Sequence, residues 1–200
     1  MILTLSLLLA CGALFPNSKN THADDTGSSS VDDSGGDDSG PVDTGQDVAS
    51  LDPDSLPQGA APCREPAFVH VDEAIDGDTL AVTGADGSEH VRIIGLDTPE
   101  IAHSEPADCY GNEAWAFTER EIEGTDLWLT FDGDCYDYYD RTLAYIIRGT
   151  GEQGFFERVL LQQGYATVLP YSDTSTFEDV FAQDEAAAKA AGLGLWSACE

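Results

Sequence analysis

Hydrophobic and polar positions follow a regular pattern only from about residue 63 onward. Short runs rich in β-branched and aromatic residues predict five strands, and turns rich in glycine and aspartate separate the first three. Apolar residues recur at helical spacing in three further segments, and Gly124 and Gly164 suit the C-caps of the first two. The predicted strands are AFVHVDEAI (67–75), TLAVT (79–83), SEHVRIIGL (88–96), DLWLTF (126–131) and RTLAYIIR (141–148), and the predicted helices are GNEAWAFTEREIEG (111–124), FFERVLLQQG (155–164) and FEDVFAQDEAAAKAAGLG (177–194).

The predicted elements follow the order three strands, a helix, two strands and two helices. Five short strands with small helices are typical of a closed or nearly closed barrel such as the OB-fold, whose surface often binds nucleic acids or sugars. We therefore predict an α+β, mainly β domain over residues 63–200, namely a five-stranded OB-fold barrel with three α-helices.

The first residues of the chain are unlike that domain. The run MILTLSLLLACGALF is apolar and too short to cross a bilayer of about 30 Å hydrocarbon thickness as a helix, so we interpret it as an export signal. Its residues Leu8 to Cys11 resemble the lipobox of bacterial lipoproteins, in which the cysteine is acylated, although no Lys or Arg precedes the apolar run. We expect residues 1–11 to be a signal segment with Cys11 as the lipidation site. An ordinary secretory signal is the alternative.

Residues 12–62 repeat Asp-Asp, Asp-Ser-Gly and Asp-Thr-Gly units and contain few aliphatic side chains. Such a segment cannot bury enough apolar surface to offset the entropy lost on ordering it. We expect a disordered tether between an envelope anchor and the domain. Spaced aspartates also suggest calcium binding, but the EF-hand pattern with its closing Glu is absent.

The predicted domain contains four cysteines, Cys63, Cys109, Cys135 and Cys199. An even number in a chain with an export signal favours two disulfides, for which three connectivities are possible. Because domain termini often lie close together, we expect Cys63 to pair with Cys199 and Cys109 with Cys135. A zinc site is the alternative, but no CxxC or HxxxH spacing supports it.

The chain is strongly acidic, with 38 Asp and Glu against 8 Lys and Arg and a formal net charge of -30. Residues 63–200 hold 28 of the acidic residues (38 less the 10 in residues 1–62) and 7 basic ones, which leaves -21. Such a surface repels phosphate backbones and membrane lipids alike. The repulsion shrinks at high ionic strength, where the Debye length falls to about 3 Å at 1 M, so a salt-rich habitat is one hypothesis for the acidity.

Carboxylates gather where the predicted strands end. Asp76 and Asp78 lie in the turn between the first two strands, and Asp97 and Glu100 follow the third. Adjacent strand ends of a small barrel bring such side chains together. Because their oxygens are hard ligands, the cluster suits a divalent cation, and calcium is the one we expect outside the cell.

Two arginines accompany these carboxylates. Arg92 lies five residues before Asp97 on the third strand, and Arg141 opens the fifth. In phosphoryl chemistry a cation and guanidinium groups stabilise the charge on the phosphorane oxygens, while a free carboxylate activates water. Asp140 directly precedes Arg141, and a salt bridge between them would weaken phosphate binding.

The ordered motifs IDGDT, RIIGLDTPE, YGNEAWAFT, DYYDRTLAYI, LLQQGYATV and EAAAKAAGLGLWS, from about Phe68 to Trp196, resemble the staphylococcal nuclease (thermonuclease-like) family. The resemblance implies an OB-fold barrel with three helices and calcium-dependent cleavage of DNA and RNA phosphodiesters that leaves 3′-phosphate products. Calcium is therefore the expected cofactor, and DNA, RNA or both are the expected substrate.

The resemblance also implies roles for individual residues, as metal ligands, catalytic groups and substrate contacts. The implied metal ligands are Asp78, Asp97 and the Thr98 carbonyl, the general base on water is Glu100, the phosphate-binding arginines are Arg92 and Arg141, and Tyr139 falls where a family tyrosine contacts a nucleotide phosphate. Tyr171 is a further candidate substrate contact, and both tyrosines have an alternative interpretation as ordinary aromatics of the barrel rim.

Three functions follow from these observations. The first is a monomeric, calcium-dependent extracellular nuclease, lipid-anchored at the bacterial cell envelope. The second is a catalytically weak, nuclease-like OB-fold binding module, and the third is a calcium-binding surface lipoprotein. The first is favoured because a pure binding module needs neither both arginines nor the carboxylate that activates water.

Overall fold

The structure, a computed structural model, describes residues 47–102, 106–169 and 176–199. The strands are β1 (Ala67–Ala74), β2 (Thr79–Gly84), β3 (Gly87–Ile93), β4 (Leu96–Asp97), β5 (Asp126–Thr130), β6 (Thr142–Ile147) and β7 (Thr167–Val168), and the helices are α1 (Gly111–Ile122), α2 (Gly151–Gly154), α3 (Phe156–Gln162), α4 (Glu178–Ala191) and α5 (Leu195–Ala198). Strands β1, β2, β3, β6 and β5 close in that order into a barrel, whereas β4 and β7 form a separate two-stranded sheet. The predicted five-stranded barrel is confirmed, and the three predicted helices correspond to α1, α3 and α4.

Strand pairing brings distant parts of the chain together. β1, β2 and β3 form an antiparallel meander, and β5 pairs antiparallel with both β1 and β6. β3 and β6 run parallel, with Val91 opposite Thr142 and Arg92 opposite Leu143. The start of β6, and Arg141 just before it, therefore lies beside the strand that carries Arg92.

The hydrophobic core fills the barrel and continues between the barrel and the helices. Apolar residues of β2 and β3, such as Leu80, Val82 and Val91, are fully buried. Every residue of β6 is buried, because α3 packs against this strand from outside the barrel. The strands whose ends carry the charged residues are thus held in place by a closely packed core.

The folded part of the chain begins earlier than the predicted boundary at Cys63. The Val48 and Pro57 carbonyls accept hydrogen bonds from the Trp128 indole at 3.0 Å and the Thr130 hydroxyl at 2.6 Å. Leu56 is buried in the core cluster. Residues 47–62 thus lie along β5 instead of belonging to a free tether.

The predicted signal segment, Cys11 and residues 12–46 lie outside the described residues. Among the residues that are described, no helix has both the length and the apolar character needed to span a membrane.

Four cysteines form two disulfides, but the predicted pairing is wrong. Cys63 is bonded to Cys135, and Cys109 to Cys199. The segment before Cys63 runs along the end of β5, and the Cys63 amide donates to the Asp132 carbonyl at 2.7 Å, which places it beside the loop that holds Cys135. The end of α5 lies against the loop before α1, where Cys109 Sγ is 3.6 Å from the Ala198 carbonyl, so Cys199 meets Cys109 instead. With all four thiols in disulfides, the alternative of a zinc site on these cysteines is also excluded.

Candidate active site

The turn between β1 and β2 fixes Asp78 in the interior. The Asp78 amide donates to Asp76 Oδ1 at 2.9 Å, which closes the turn. Asp78 Oδ2 accepts from the Thr98 amide at 2.8 Å and from the Thr98 hydroxyl at 3.1 Å. Gly77 allows this approach, because a Cβ at that position would lie 2.6 Å from Thr98 Oγ1. The Asp78 carboxylate is therefore buried and held from the end of β4.

A buried guanidinium joins the two predicted metal-binding carboxylates. Arg92 forms an ion pair with Asp78, and its Nη2 donates to Asp97 Oδ1 at 2.6 Å and to the Leu96 carbonyl at 3.3 Å. Only 6% of the Arg92 side chain is exposed, compared with 48% of the Asp97 side chain. Asp97 is thus the carboxylate of this group that faces solvent.

The short sheet of β4 and β7 sets the position of Asp97. Asp97 lies opposite Thr167 in the antiparallel register, and the Thr167 hydroxyl donates to the Asp97 carbonyl at 3.4 Å. The Leu169 amide donates to the Gly95 carbonyl at 3.1 Å, which extends the pairing. β7 therefore aligns β4, the strand that carries Asp97.

Glu100 lies exposed at the edge of a groove of about 260 Å³ that Asp97, Thr98 and the Cys109–Cys199 disulfide also line. Its backbone is fixed by Asp108, whose amide donates to the Glu100 carbonyl at 2.9 Å and whose Oδ2 accepts from the Glu100 amide at 3.4 Å. The Glu100 carboxylate has no hydrogen-bond or ion-pair partner among the residues that the structure covers. It is free to contact water in the groove.

Arg141 reaches the same group of residues from the start of β6. Its Nε donates to Asp137 Oδ2 at 2.7 Å, and its Nη1 donates to the Thr79 hydroxyl at 3.4 Å. The Thr79 hydroxyl in turn donates to Asp78 Oδ1 at 3.3 Å. A continuous hydrogen-bonded network therefore connects the two arginines through Thr79 and Asp78.

Arg141 forms its salt bridge with Asp137 and not with Asp140, the neighbour that the sequence offers as a partner. Burial raises the pKa of Asp137, but hydrogen bonds from the Arg141 amide and guanidinium and from the Tyr139 amide outweigh it, so the pKa lies below its ordinary value. Sequence reasoning missed Asp137. Its place four residues before Arg141, at the start of a tight turn, was the only available signal.

Asp76 belongs to the predicted carboxylate cluster, but the family resemblance does not make it a metal ligand. Burial raises its pKa, against the opposing effects of a hydrogen bond from Thr79 and the positive charges of Arg92 and Arg141. It belongs to the same electrostatic environment as Asp78, and its two-residue spacing from Asp78 was the signal for its position.

The donor atoms fit calcium chemically. Asp97 offers a half-exposed carboxylate and Asp78 a buried one, and both are the hard oxygen donors that calcium prefers. Within residues 47–102, 106–169 and 176–199, no three His, Cys, Asp or Glu side chains form a metal-binding group. A calcium ion held by Asp78, Asp97 and the Thr98 carbonyl would complete its usual six to eight ligands with water or substrate oxygens.

The two predicted substrate contacts have different outcomes. Tyr139 lies beside the site, with the Arg141 Cζ 5.6 Å from the centre of its ring. Tyr171 falls outside the described residues.

Comparisons with known proteins agree on one family. The sequence model of the family described as "Staphylococcal nuclease homologue" matches residues 90–198, more than half of the chain. The thermonuclease of Staphylococcus hyicus is 32% identical over 62% of this chain and 72% of its own length.

Two proteins of Bacillus subtilis strain 168 are also similar. Endonuclease YncB is 32% identical over 95% of this chain and 85% of its own length. The SPbeta prophage-derived endonuclease YokF is 36% identical over 67% of this chain, but the match spans only 45% of the YokF protein.

Proposed function

Because this chain belongs to the staphylococcal nuclease family, we propose that it is a calcium-dependent nuclease that hydrolyses phosphodiester bonds in DNA, RNA or both. Family membership supports nuclease activity in general. The observation that carries the more specific proposal is the network running from Arg141 through Thr79 and Asp78 to Arg92 and Asp97. Two guanidinium groups and two hard-oxygen donors converge there beside a free carboxylate.

Each member of this group has a chemical task in the proposed reaction. Arg92 and Arg141 bind the phosphate and stabilise the negative charge that grows on its oxygens in the transition state. Glu100 removes a proton from the attacking water. The bond from phosphorus to the 5′-oxygen breaks and that oxygen takes up a proton from water, so the products carry a 3′-phosphate and a 5′-hydroxyl. Calcium supplies Lewis-acid stabilisation of the same oxygens when it is held by Asp78, Asp97 and the Thr98 carbonyl.

The geometry is consistent with those tasks. The Glu100 side chain is exposed and lines the same groove as Asp97 and Thr98. A water molecule in this groove is therefore near the Glu100 carboxylate and near the proposed metal ligands. Arg92 is already fixed by its contacts with Asp78, Asp97 and the Leu96 carbonyl, and a fixed guanidinium needs little reorganisation to bind charge.

We further propose that the protein acts outside the cytoplasm as a monomer, held at the bacterial cell envelope by an acylated Cys11. Two disulfides support an oxidising compartment, since such bonds are rare in the cytosol. Labelling with a radioactive fatty acid, in the wild type and in a Cys11→Ser variant, tests the anchor, and an equal signal from both would contradict it.

A nuclease-like binding module with weak catalysis is the second candidate. It is favoured by the ion pair between Arg141 and Asp137, because a guanidinium bound to a carboxylate is less available to a phosphate. Measuring both the cleavage rate and the affinity for the same oligonucleotide separates the two candidates, because the binding module binds the oligonucleotide but cleaves it slowly.

The proposed function is tested with the full chain, plasmid DNA, single-stranded DNA and RNA, in calcium or with a chelator. We expect cleavage only with calcium, products that are substrates for a 3′-phosphatase, and a thermal midpoint that rises with calcium. Asp97→Asn should lose both the cleavage and the calcium-dependent rise, whereas Asp126→Asn, a half-exposed acid on β5, should keep both. Cleavage that is equally fast with a chelator would overturn the proposed cofactor.

A further inference from the structure

Three exposed tyrosines lie in the four residues that lead to Asp140 and Arg141. Tyr136 is 55% exposed, Tyr138 is 95% exposed and Tyr139 is 76% exposed. Together with Leu193 they are the only large hydrophobic residues exposed in the part of the chain that the structure describes. Aromatic rings gain by burial, so three rings left in solvent beside a candidate active site need an explanation.

The loop that carries these tyrosines is held firmly. The Asp137 amide donates to the Arg141 carbonyl at 3.0 Å, and the Leu143 amide donates to the Cys135 carbonyl at 2.9 Å. Cys135 is cross-linked to Cys63, whose amide donates to the Asp132 carbonyl just after β5. A surface on a fixed loop loses little entropy when it binds a partner.

The rings are also ordered relative to the site. The ring centres of Tyr138 and Tyr139 lie 5.5 Å apart in an edge-to-face arrangement, and the Arg141 Cζ lies 5.6 Å from the centre of the Tyr139 ring. The Tyr139 ring therefore contacts both Arg141 and the Tyr138 ring. A nucleic-acid strand whose phosphate contacts Arg141 would place its neighbouring nucleotides over the rings of Tyr139 and Tyr138. A groove of about 380 Å³ lined by Tyr139, Arg141 and His90 opens on the same side.

Coulombic attraction cannot supply much affinity on this surface. Each of the seven Lys and Arg side chains in the described residues forms an ion pair with a carboxylate of the protein. The pairs are Arg64 with Glu89, Arg92 with Asp78 and Asp97, Arg120 and Arg148 with Glu121, Arg141 with Asp137, Arg158 with Glu152 and Asp184, and Lys189 with Glu185. Counterion release, which gives most nucleic-acid-binding proteins their affinity, is therefore weak here.

We propose that Tyr138, with Tyr136 beside it in the loop, is a stacking platform for unpaired bases of a single-stranded nucleic acid. This proposal rests on the proposed nuclease function for the position of the strand. Stacking on aromatic rings does not depend on sequence or on positive charge. In a duplex the bases are already stacked and paired on each other, so the platform selects single-stranded segments.

The test is equilibrium binding of the full chain to a fluorescent single-stranded oligonucleotide, in chelator so that no cleavage occurs. A matched oligonucleotide with abasic sites keeps the phosphates and removes the bases. We expect Tyr138→Ala to weaken binding of the normal oligonucleotide by about 5- to 150-fold and to leave binding of the abasic one unchanged. Tyr138→Phe keeps the ring and should bind as the wild type does.

Three results would overturn the platform. The first is equal affinity of the wild type for the normal and abasic strands. The second is an unchanged affinity in Tyr138→Ala. The third is a loss of affinity in Tyr138→Phe as large as that in Tyr138→Ala, which would assign the binding to the hydroxyl. A fourth test is salt. A loss of affinity with rising salt that corresponds to more than about two phosphate contacts would assign the affinity to charge instead.

These outcomes are separable from those of the proposed function. If the wild type binds single strands through Tyr138 but does not cleave them with calcium, the nuclease proposal fails and the platform stands. If it cleaves them and Tyr138→Ala changes neither binding nor the KM for the single strand, the platform fails and the nuclease stands.

Discussion

The Nε of Arg141 lies 2.7 Å from Oδ2 of Asp137, and the same carboxylate accepts the Arg141 amide through Oδ1 at 2.9 Å. Asp137→Asn keeps an acceptor for the amide and removes the charge that offsets the guanidinium. One more uncompensated cation would then face the phosphate. We expect the dependence of log KM on log salt to become steeper by about one unit, because each phosphate contact adds about that much.

Asp140→Asn is the matched control for this change. Asp140 adjoins Arg141 in the same loop, and Asn tolerates its positive φ of 65° as well as Asp does. Both variants remove one negative charge near the site, so a difference between them isolates the ion pair. Identical salt dependence in the two variants would show that the pair does not limit Arg141.

Glu100→Gln should lower kcat by about 10²- to 10⁴-fold, the usual contribution of a general base. The side chain is exposed and forms no hydrogen bond or ion pair with other described residues, so the thermal midpoint should stay the same. Glu119→Gln on α1 removes the same charge from another exposed site and should keep full activity. Normal cleavage by Glu100→Gln in a steady-state assay would contradict the assignment of the base.

The two disulfides should stabilise the fold to similar extents but protect different loops. They close segments of 72 and 90 residues, for which the loss of one bond typically destabilises by about 2–5 kcal/mol. We expect the Cys109→Ser/Cys199→Ser variant to speed hydrogen exchange at the Asp108 amide and to lower kcat, because that amide holds the Glu100 backbone. The Cys63→Ser/Cys135→Ser variant should instead speed hydrogen exchange at the amide of residue 63, which donates to the Asp132 carbonyl. Exchange that rises equally everywhere would indicate only global destabilisation.

Glu157 should make the protein less stable as the pH rises. Burial raises the pKa of Glu157 well above its ordinary value, and its Oε1 accepts the Ile146 amide at 3.0 Å in the core. Between the unfolded pKa, about 4.3, and the raised folded one, the folded state holds a proton that the unfolded state releases. Folding stability contributed by this group therefore falls across that window.

Glu157→Gln keeps an acceptor for Ile146 and does not titrate. The free energy of unfolding of this variant, minus that of the wild type, should increase with pH above about 4.3 by at most about 1.4 kcal/mol per unit. Urea titrations at several pH values measure the difference, with Glu119→Gln as the exposed control. A difference that stays constant with pH would show that Glu157 is ionised in the fold.

The sequence was sufficient for the barrel because its strands carry strong local signals. The short apolar runs of β2 and β3, the turns between them and the glycines after α1 and α3 each specify local geometry, and Leu80, Val82 and Val91 in these runs are buried. The short strands β4 and β7 have only two residues each, too few to show a period, so their pairing could not be read from the pattern.

Site residues were predictable where motif and strand end coincide, as at Asp78, Arg92 and Asp97, which the structure brings into direct contact. Contacts set by the path of a loop were not predictable. Nothing local in the sequence places Cys63 next to Cys135, or Cys109 next to Cys199, because both depend on how irregular segments lie on the barrel. The choice of Asp137 over Asp140 depends on a turn whose backbone geometry the composition does not determine.

The pairing of Asp97 with Thr167 makes assembly of the site a late event along the chain. These residues lie 70 positions apart, so the strand that carries Asp97 gains its partner only after the barrel, α1 and α3 have been synthesised. A nascent chain that ends before Thr167 contains Asp78, Asp97 and both arginines, but it lacks β7, which aligns β4. Assembly of the proposed active site thus requires the last quarter of residues 63–200, and a nascent chain that ends before Thr167 is expected to be inert.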